Sequence, residues 1–142
     1  MEQCRQYTLG HKIVIEIEIK DYVSTDQDKF WDWKPEEPTN IFLNIDLYIG
    51  PKHSEGAEIF QCVVATPKGL SNFLSHARIT SGRHYFLIER WNWDELKAFF
   101  ENLISTCQSE DWAMTSLKLS RHFKWEYEDH SFQQDEDEPD DY

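Results

Sequence analysis

Two runs of strict alternation constrain this chain more than anything else in it. From Lys12 to Tyr22, Ile13, Ile15, Ile17 and Ile19 alternate with Lys12, Val14, Glu16, Glu18 and Lys20. From Ile41 to Ile49, Ile41, Leu43, Ile45, Leu47 and Ile49 alternate with Phe42, Asn44, Asp46 and Tyr48. A period of two with one polar face predicts half-buried strands, most often antiparallel. A third strand is predicted over Glu58–Thr66, with Phe60, Cys62 and Val64 on one face. The stretch Gly50-Pro51-Lys52-His53-Ser54-Glu55-Gly56 joins the second and third strands as a hairpin turn.

Helical signals follow only after these strands. Thr66-Pro67 combines a capping hydroxyl with proline at the first helical position. The helix is expected to run to about Ala77, with Leu70, Phe73 and Leu74 inward. Arg83 to Glu89 alternates again as a fourth strand, with His84, Phe86 and Ile88 opposite Tyr85 and Leu87. Asn92 and Glu95 resemble a capping box. The helix they open, Trp93 to about Thr106, turns Leu96, Phe99, Phe100, Leu103 and Ile104 toward the core. Ser109, Glu110 and Asp111 open a third helix carrying Trp112, Leu117 and Leu119, with acids at its positive end. Phe123 to Asp129 is a fifth strand.

Three strands before any helix favour an antiparallel or mixed sheet over a doubly wound one. The expected class is α+β, an antiparallel or mixed five-stranded sheet in the order β-β-β-α-β-α-α-β, with helices packed on one face. Residues 1–11 are an N-terminal extension, residues 12–129 a single domain, and residues 130–142 an acidic, disordered tail. At this length a chain buries roughly two thirds of its unfolded surface, enough for one core.

Charge bears on partners rather than fold. The chain holds 27 Asp and Glu against 14 Lys and Arg, a formal charge of -13. It also holds 6 Trp, 6 Tyr and 9 Phe, more aromatic content than an acidic disordered chain carries. Six acids (Asp135, Glu136, Asp137, Glu138, Asp140 and Asp141) fall in the tail, so taking those six from the 27 leaves 21 against 14. About half of the imbalance therefore belongs to the folded body. Such a field disfavours nucleic acid and anionic membrane and favours a basic protein partner.

No signal peptide is visible at the start, and no stretch approaches the roughly 20 apolar residues that cross a bilayer. Cys4, Cys62 and Cys107 are an odd number without a short pairing, which argues against a disulfide framework. The expected compartment is the cytoplasm. The exposed strand edges allow a monomer or a weak homodimer.

No catalytic or metal constellation stands out. The cysteines and histidines lack zinc-ligand spacing, so no metal and no cofactor is expected. Cys62 beside His84 is a conceivable nucleophile pair, but a thiol among apolar neighbours is inert. Glu126, Glu128 and Asp129, and likewise Asp32, Glu36 and Glu37, are acid clusters of the kind any strongly acidic chain produces. The Gly50–Gly56 turn lacks the helix N-terminus that phosphate loops use. The chain is therefore expected not to be an enzyme.

The segment between the first two strands is different. It mixes Phe30, Trp31 and Trp33 with Asp26, Asp28, Asp32, Glu36 and Glu37. Aromatics anchor interfaces and acids steer encounter, so this loop is the first candidate contact surface, with Asp26, Asp28, Trp31, Asp32, Trp33, Glu36 and Glu37 as its residues. The competing reading is that the aromatics fold back as a lid on the core. Glu16, Glu18 and Asp46, on the polar face of the sheet, form a second candidate patch.

A set of residues in order resembles a known family. It comprises Gly50-Pro51-Lys52 with Glu55-Gly56, then Phe60, Thr66-Pro67-Lys68 and Leu70, then Arg83-His84-Tyr85, Glu89-Arg90 and Trp93-Asp94. Trp112, Leu119, Arg121 and Trp125-Glu126-Tyr127-Glu128-Asp129 complete it. Over roughly residues 12–129 this is similar to the immunity protein 8 family. The aromatic that ends the family's closing run is here His130. The resemblance implies a cytoplasmic antitoxin. It would bind and neutralise the C-terminal domain of a bacterial polymorphic or contact-dependent toxin; the acidic composition, not the resemblance, points to occlusion of a basic surface such as that of a nuclease. The resemblance supplies no catalytic residues. An acidic adaptor for some other basic protein is the alternative.

Overall fold

A computed structural model describes residues 6–9 and 12–127. The acidic tail, Glu128, Asp129 and His130 lie outside the described residues. Seven strands and three helices are present among those described: β1 (Gln6–Leu9), β2 (Lys12–Ile15), β3 (Ile17–Val23), β4 (Phe42–Pro51), β5 (Glu58–Ala65), α1 (Pro67–Ala77), β6 (Tyr85–Leu87), α2 (Trp93–Ser105), α3 (Trp112–Leu119) and β7 (Lys124–Trp125). The class is α+β, as expected.

The main sheet has five strands in the order β3-β4-β5-β6, with β7 also paired to β5. It is mixed. The pairs β3–β4, β4–β5 and β5–β7 are antiparallel, whereas β5–β6 is parallel. The parallel step follows from α1, which carries the chain back between β5 and β6. β6 sits beside Val63–Ala65 and β7 beside Phe60 and Gln61, so both share one side of β5.

The alternation of β4 holds throughout: Leu43, Ile45, Leu47 and Ile49 are buried, as are Phe60, Cys62 and Val64 on β5. Leu96, Phe100 and Ile104 of α2 and Leu119 of α3 close this core, with Phe123. Phe123 contacts Phe60, Phe86 and Phe100. α1 lies at the end of the sheet instead, where Phe73 stacks flat on Phe42 at 4.3 Å. Its innermost residue is Gly69 rather than the expected Leu70, Phe73 and Leu74, which are half-buried. A Cβ on Gly69 would lie 1.9 Å from the carbonyl oxygen of Ile41. The buried Thr66 hydroxyl joins the two segments, accepting from the N–H groups of Gly69 and Ile41.

Further expectations are corrected, and the fifth strand, expected over Phe123–Asp129, is only Lys124–Trp125 among the described residues. The strand predicted over Lys12–Tyr22 is two strands broken at Glu16. β2 pairs with β1 in a small separate sheet, and β3 joins the main one. Tertiary bonds cause the break: Ile15 N–H donates to Ser109 O, and Ile17 N–H to the Gln108 side chain. Ile13 consequently faces solvent while Val14 is buried. A second irregularity between Ile19 and Asp21 leaves Tyr22 opposite Leu47 and facing the core. The fourth strand is only three residues, because His84 takes a left-handed conformation (φ 65°) and Ile88 begins the turn into α2. Finally, Phe99 is exposed rather than part of the core.

Candidate functional site

The 24–40 loop is tied down at both ends and plugged in the middle. At its start Asp26 accepts from the N–H and the side-chain amide of Asn44, at 2.8 and 3.0 Å. At its end Pro38 accepts from Trp91 N–H at 2.8 Å. Glu37 pairs with Lys68 at 2.9 Å, and that bond holds its carboxyl below the ordinary carboxylate range. Between these ties, Lys29 adopts a left-handed conformation (φ 49°) and starts a single 3-10 turn, Phe30–Asp32.

This turn drives Phe30 inward until none of it is exposed. Its ring meets Tyr22, Trp91 and Trp93 edge-on. Trp91 and Trp93 stack on each other at 6.2 Å, and Trp33 leans on Trp91 at 5.2 Å. Trp31, next along the turn, packs its ring edge on Phe30 at 5.3 Å yet remains 44% exposed. Phe30 and Trp33 thus pack as a lid on the core, whereas Trp31 stays at the surface.

The acids divide in the same way. Asp26 and Glu37 are engaged in holding the loop. Asp28, Asp32 and Glu36 are exposed, and no hydrogen bond or ion pair engages their carboxylates among the described residues. An exposed tryptophan on a rigid aromatic base beside uncommitted carboxylates suits recognition of a basic protein surface. Its rigidity lowers the entropy lost on binding.

The second predicted patch is scattered. Asp46 lies on the open sheet face and accepts from the Gln61 amide at 3.1 Å. It lines a groove of about 400 Å³ with Thr25, Asn44, Gln61, Arg83 and Lys124. Asn44 thus brings Asp26 and Asp46 into one neighbourhood. Glu18 sits opposite Gly50, four residues further along β4 from Asp46, and lies 4.0 Å from Lys20. Glu16 lies in the break between β2 and β3, its carbonyl accepting from Lys52 N–H. Sequence reasoning missed the two cations of the groove, Arg83 and Lys124. Both residues were legible in the predicted strands, but the convergence of Arg83, just before β6, with Lys124, on β7, was not.

The chemical candidates lose support from their surroundings. Burial, with Asp46 nearby, pushes the Cys62 thiol well above its ordinary range, which suppresses the nucleophilic thiolate. Glu126 accepts from Ile59 N–H at 3.0 Å and so helps seat β7. No group of three or more His, Cys, Asp or Glu among the described residues is placed to hold a metal ion. Gly50 closes the hairpin, since a Cβ there would lie 2.1 Å from Gly56 O.

Together these features describe an α+β domain whose 24–40 loop exposes Trp31 and three uncommitted carboxylates. The chain belongs to the Immunity protein 8 family, whose profile it matches over residues 17–130. Members of this class act against a protein toxin, so the partner is a toxin rather than a small molecule. Searches of curated proteins and of solved structures found no match. No helix among the described residues is long and apolar enough to cross a membrane.

Proposed function

We propose that this protein neutralises its cognate toxin in the cytoplasm by covering a basic surface of the toxin's C-terminal domain. The observation that carries this reading is Trp31, exposed on the buried Phe30 and accompanied by the uncommitted carboxylates of Asp28, Asp32 and Glu36. Trp31 is the anchor and the carboxylates steer. Asp26 and Glu37 act one step back, holding the loop in shape. A toxin that works on nucleic acid has a basic cleft, and an acidic surface competes for it. Association is then fast at low salt and slows as salt screens the field.

Co-expression with the toxin domain encoded beside this gene tests the reading. Cells carrying both survive, and the complex co-purifies at low and moderate salt. Continued killing with no complex at either salt refutes it. The triple variant Asp28→Lys, Asp32→Lys, Glu36→Lys should slow association at least roughly tenfold and flatten its salt dependence.

A further inference from the structure

A second interaction surface lies along the outer edge of β6. Val63 N–H donates to His84 O, and Ile88 N–H donates to Ala65 O. Residues 84, 86 and 88 therefore face β5, and by alternation Tyr85 and Leu87 direct their N–H and C=O groups the other way. Among the described residues, no strand pairs with β6 on that side. Native sheets usually protect such an edge with charge, proline or a covering element. Here the edge strand is Tyr-Phe-Leu, and Leu87 is 66% exposed.

A groove of about 650 Å³ runs beside this edge, between β6 and the first half of α2. Ile88, Leu96 and Phe99 give it apolar walls, and Phe99 is 54% exposed. Glu89 and Glu95 also line it, together with Arg90. Neither carboxylate has an ion-pair partner among the described residues. The groove adjoins the aromatic platform: Arg90 and Asn92 line it, while the alternate residues Trp91 and Trp93 hold Phe30.

We propose that this edge receives an extended segment of the toxin domain as an added strand. The segment's backbone pairs with Tyr85 and Leu87. One apolar side chain seats against Phe99 and Ile88, and a Lys or Arg reaches Glu89 and Glu95. Main-chain pairing supplies affinity and the alternating side chains supply selectivity. Self-pairing is the poorer occupant. Two copies joined only through a three-residue strand fall well short of the roughly 1,200 Å² that a stable interface buries. A toxin strand adds instead to a larger contact around Trp31, so the inference rests on the toxin-binding reading.

The test uses the full chain and a catalytically silenced form of the toxin domain encoded beside its gene. Binding should slow amide exchange at Tyr85 and Leu87 by at least roughly tenfold, since an added strand hydrogen-bonds both. Phe99→Glu should weaken the complex about a hundredfold, and Leu87→Pro at least tenfold, because it removes an outward N–H that β5 does not use. Thermal melts of both variants check that the fold survives. If Leu87→Pro does not fold, the exchange data and Phe99→Glu still decide. A tight wild-type complex with unchanged exchange at both amides and no loss in Phe99→Glu overturns the added strand and leaves toxin binding standing. No complex with the wild-type chain at any salt overturns both.

Discussion

Phe30 lies edge-on to Trp93 with 5.1 Å between ring centroids, and this contact fastens the 24–40 loop to the first residue of α2. The same Trp93 ring meets Tyr22 of β3 at 4.8 Å. Loop, sheet and helix thus converge on one aromatic cluster, and Trp31 is presented from it. Removing the plug and removing the presented ring should have opposite signatures. Phe30→Ala leaves a cavity and should cost about 3–5 kcal/mol in urea unfolding. Trp31→Ala should change stability by no more than about 1 kcal/mol yet weaken toxin binding at least tenfold. Equal losses of stability in the two variants would argue against this division.

The acids of the loop make a similar pair of tests. Asp26→Ala removes two hydrogen bonds to Asn44 and should cost about 1–2 kcal/mol in the same measurement. Asp28→Ala should leave stability within about 0.5 kcal/mol and act only on the association rate, seen in stopped-flow mixing at low salt.

Gly69 is held against β4 by the Thr66 cap, so Gly69→Ala forces its new methyl onto the Ile41 carbonyl. Backbone cannot yield as a side chain does. The cost should be at least about 2 kcal/mol, although alanine is the better helix former. A stabilised Gly69→Ala variant would show that α1 can move off the sheet.

Alkaline pH should weaken the fold. Burial raises the Cys62 and Cys107 thiols, and burial with Glu101 nearby raises the Tyr22 hydroxyl. In the unfolded chain a thiol titrates near about 8.5. Above that pH the unfolded state releases protons that the folded state retains, so stability is full below it and falls as pH rises. The melting temperature should therefore decline from pH 8.5 upward, and Cys62→Ala should make the decline shallower. Native Cys62 should also resist iodoacetamide at pH 8, where the unfolded chain reacts.

Some of this structure was legible in the order of residues. The five inward positions from Ile41 to Ile49 follow from a period of two. The caps at Thr66 and Asn92 were legible because each hydroxyl or amide bonds an N–H three residues ahead. The hairpin at Gly50–Gly56 is local in the same way. The break at Glu16 was not legible, because the groups that cause it, Ser109 and Gln108, lie more than ninety residues away. Phe99 was placed inward because it sits beside the helical stripe of Leu96 and Phe100. It is exposed because β6 ends the sheet after three residues and no element among the described residues extends over it.

The sequence by itself determined the hairpin of β4 and β5, the helix starts and the negative charge, which depend on neighbours a few positions apart. Tertiary structure decided which acids and aromatics are left for a partner. Asp26 and Glu37 are committed to Asn44 and Lys68, 18 and 31 residues away, whereas Asp28 and Asp32 meet no such group among the described residues. Phe30 and Trp31 are adjacent, yet one is sealed and the other presented, because a 3-10 turn points successive side chains about 120° apart and the aromatic core accepts only one of them.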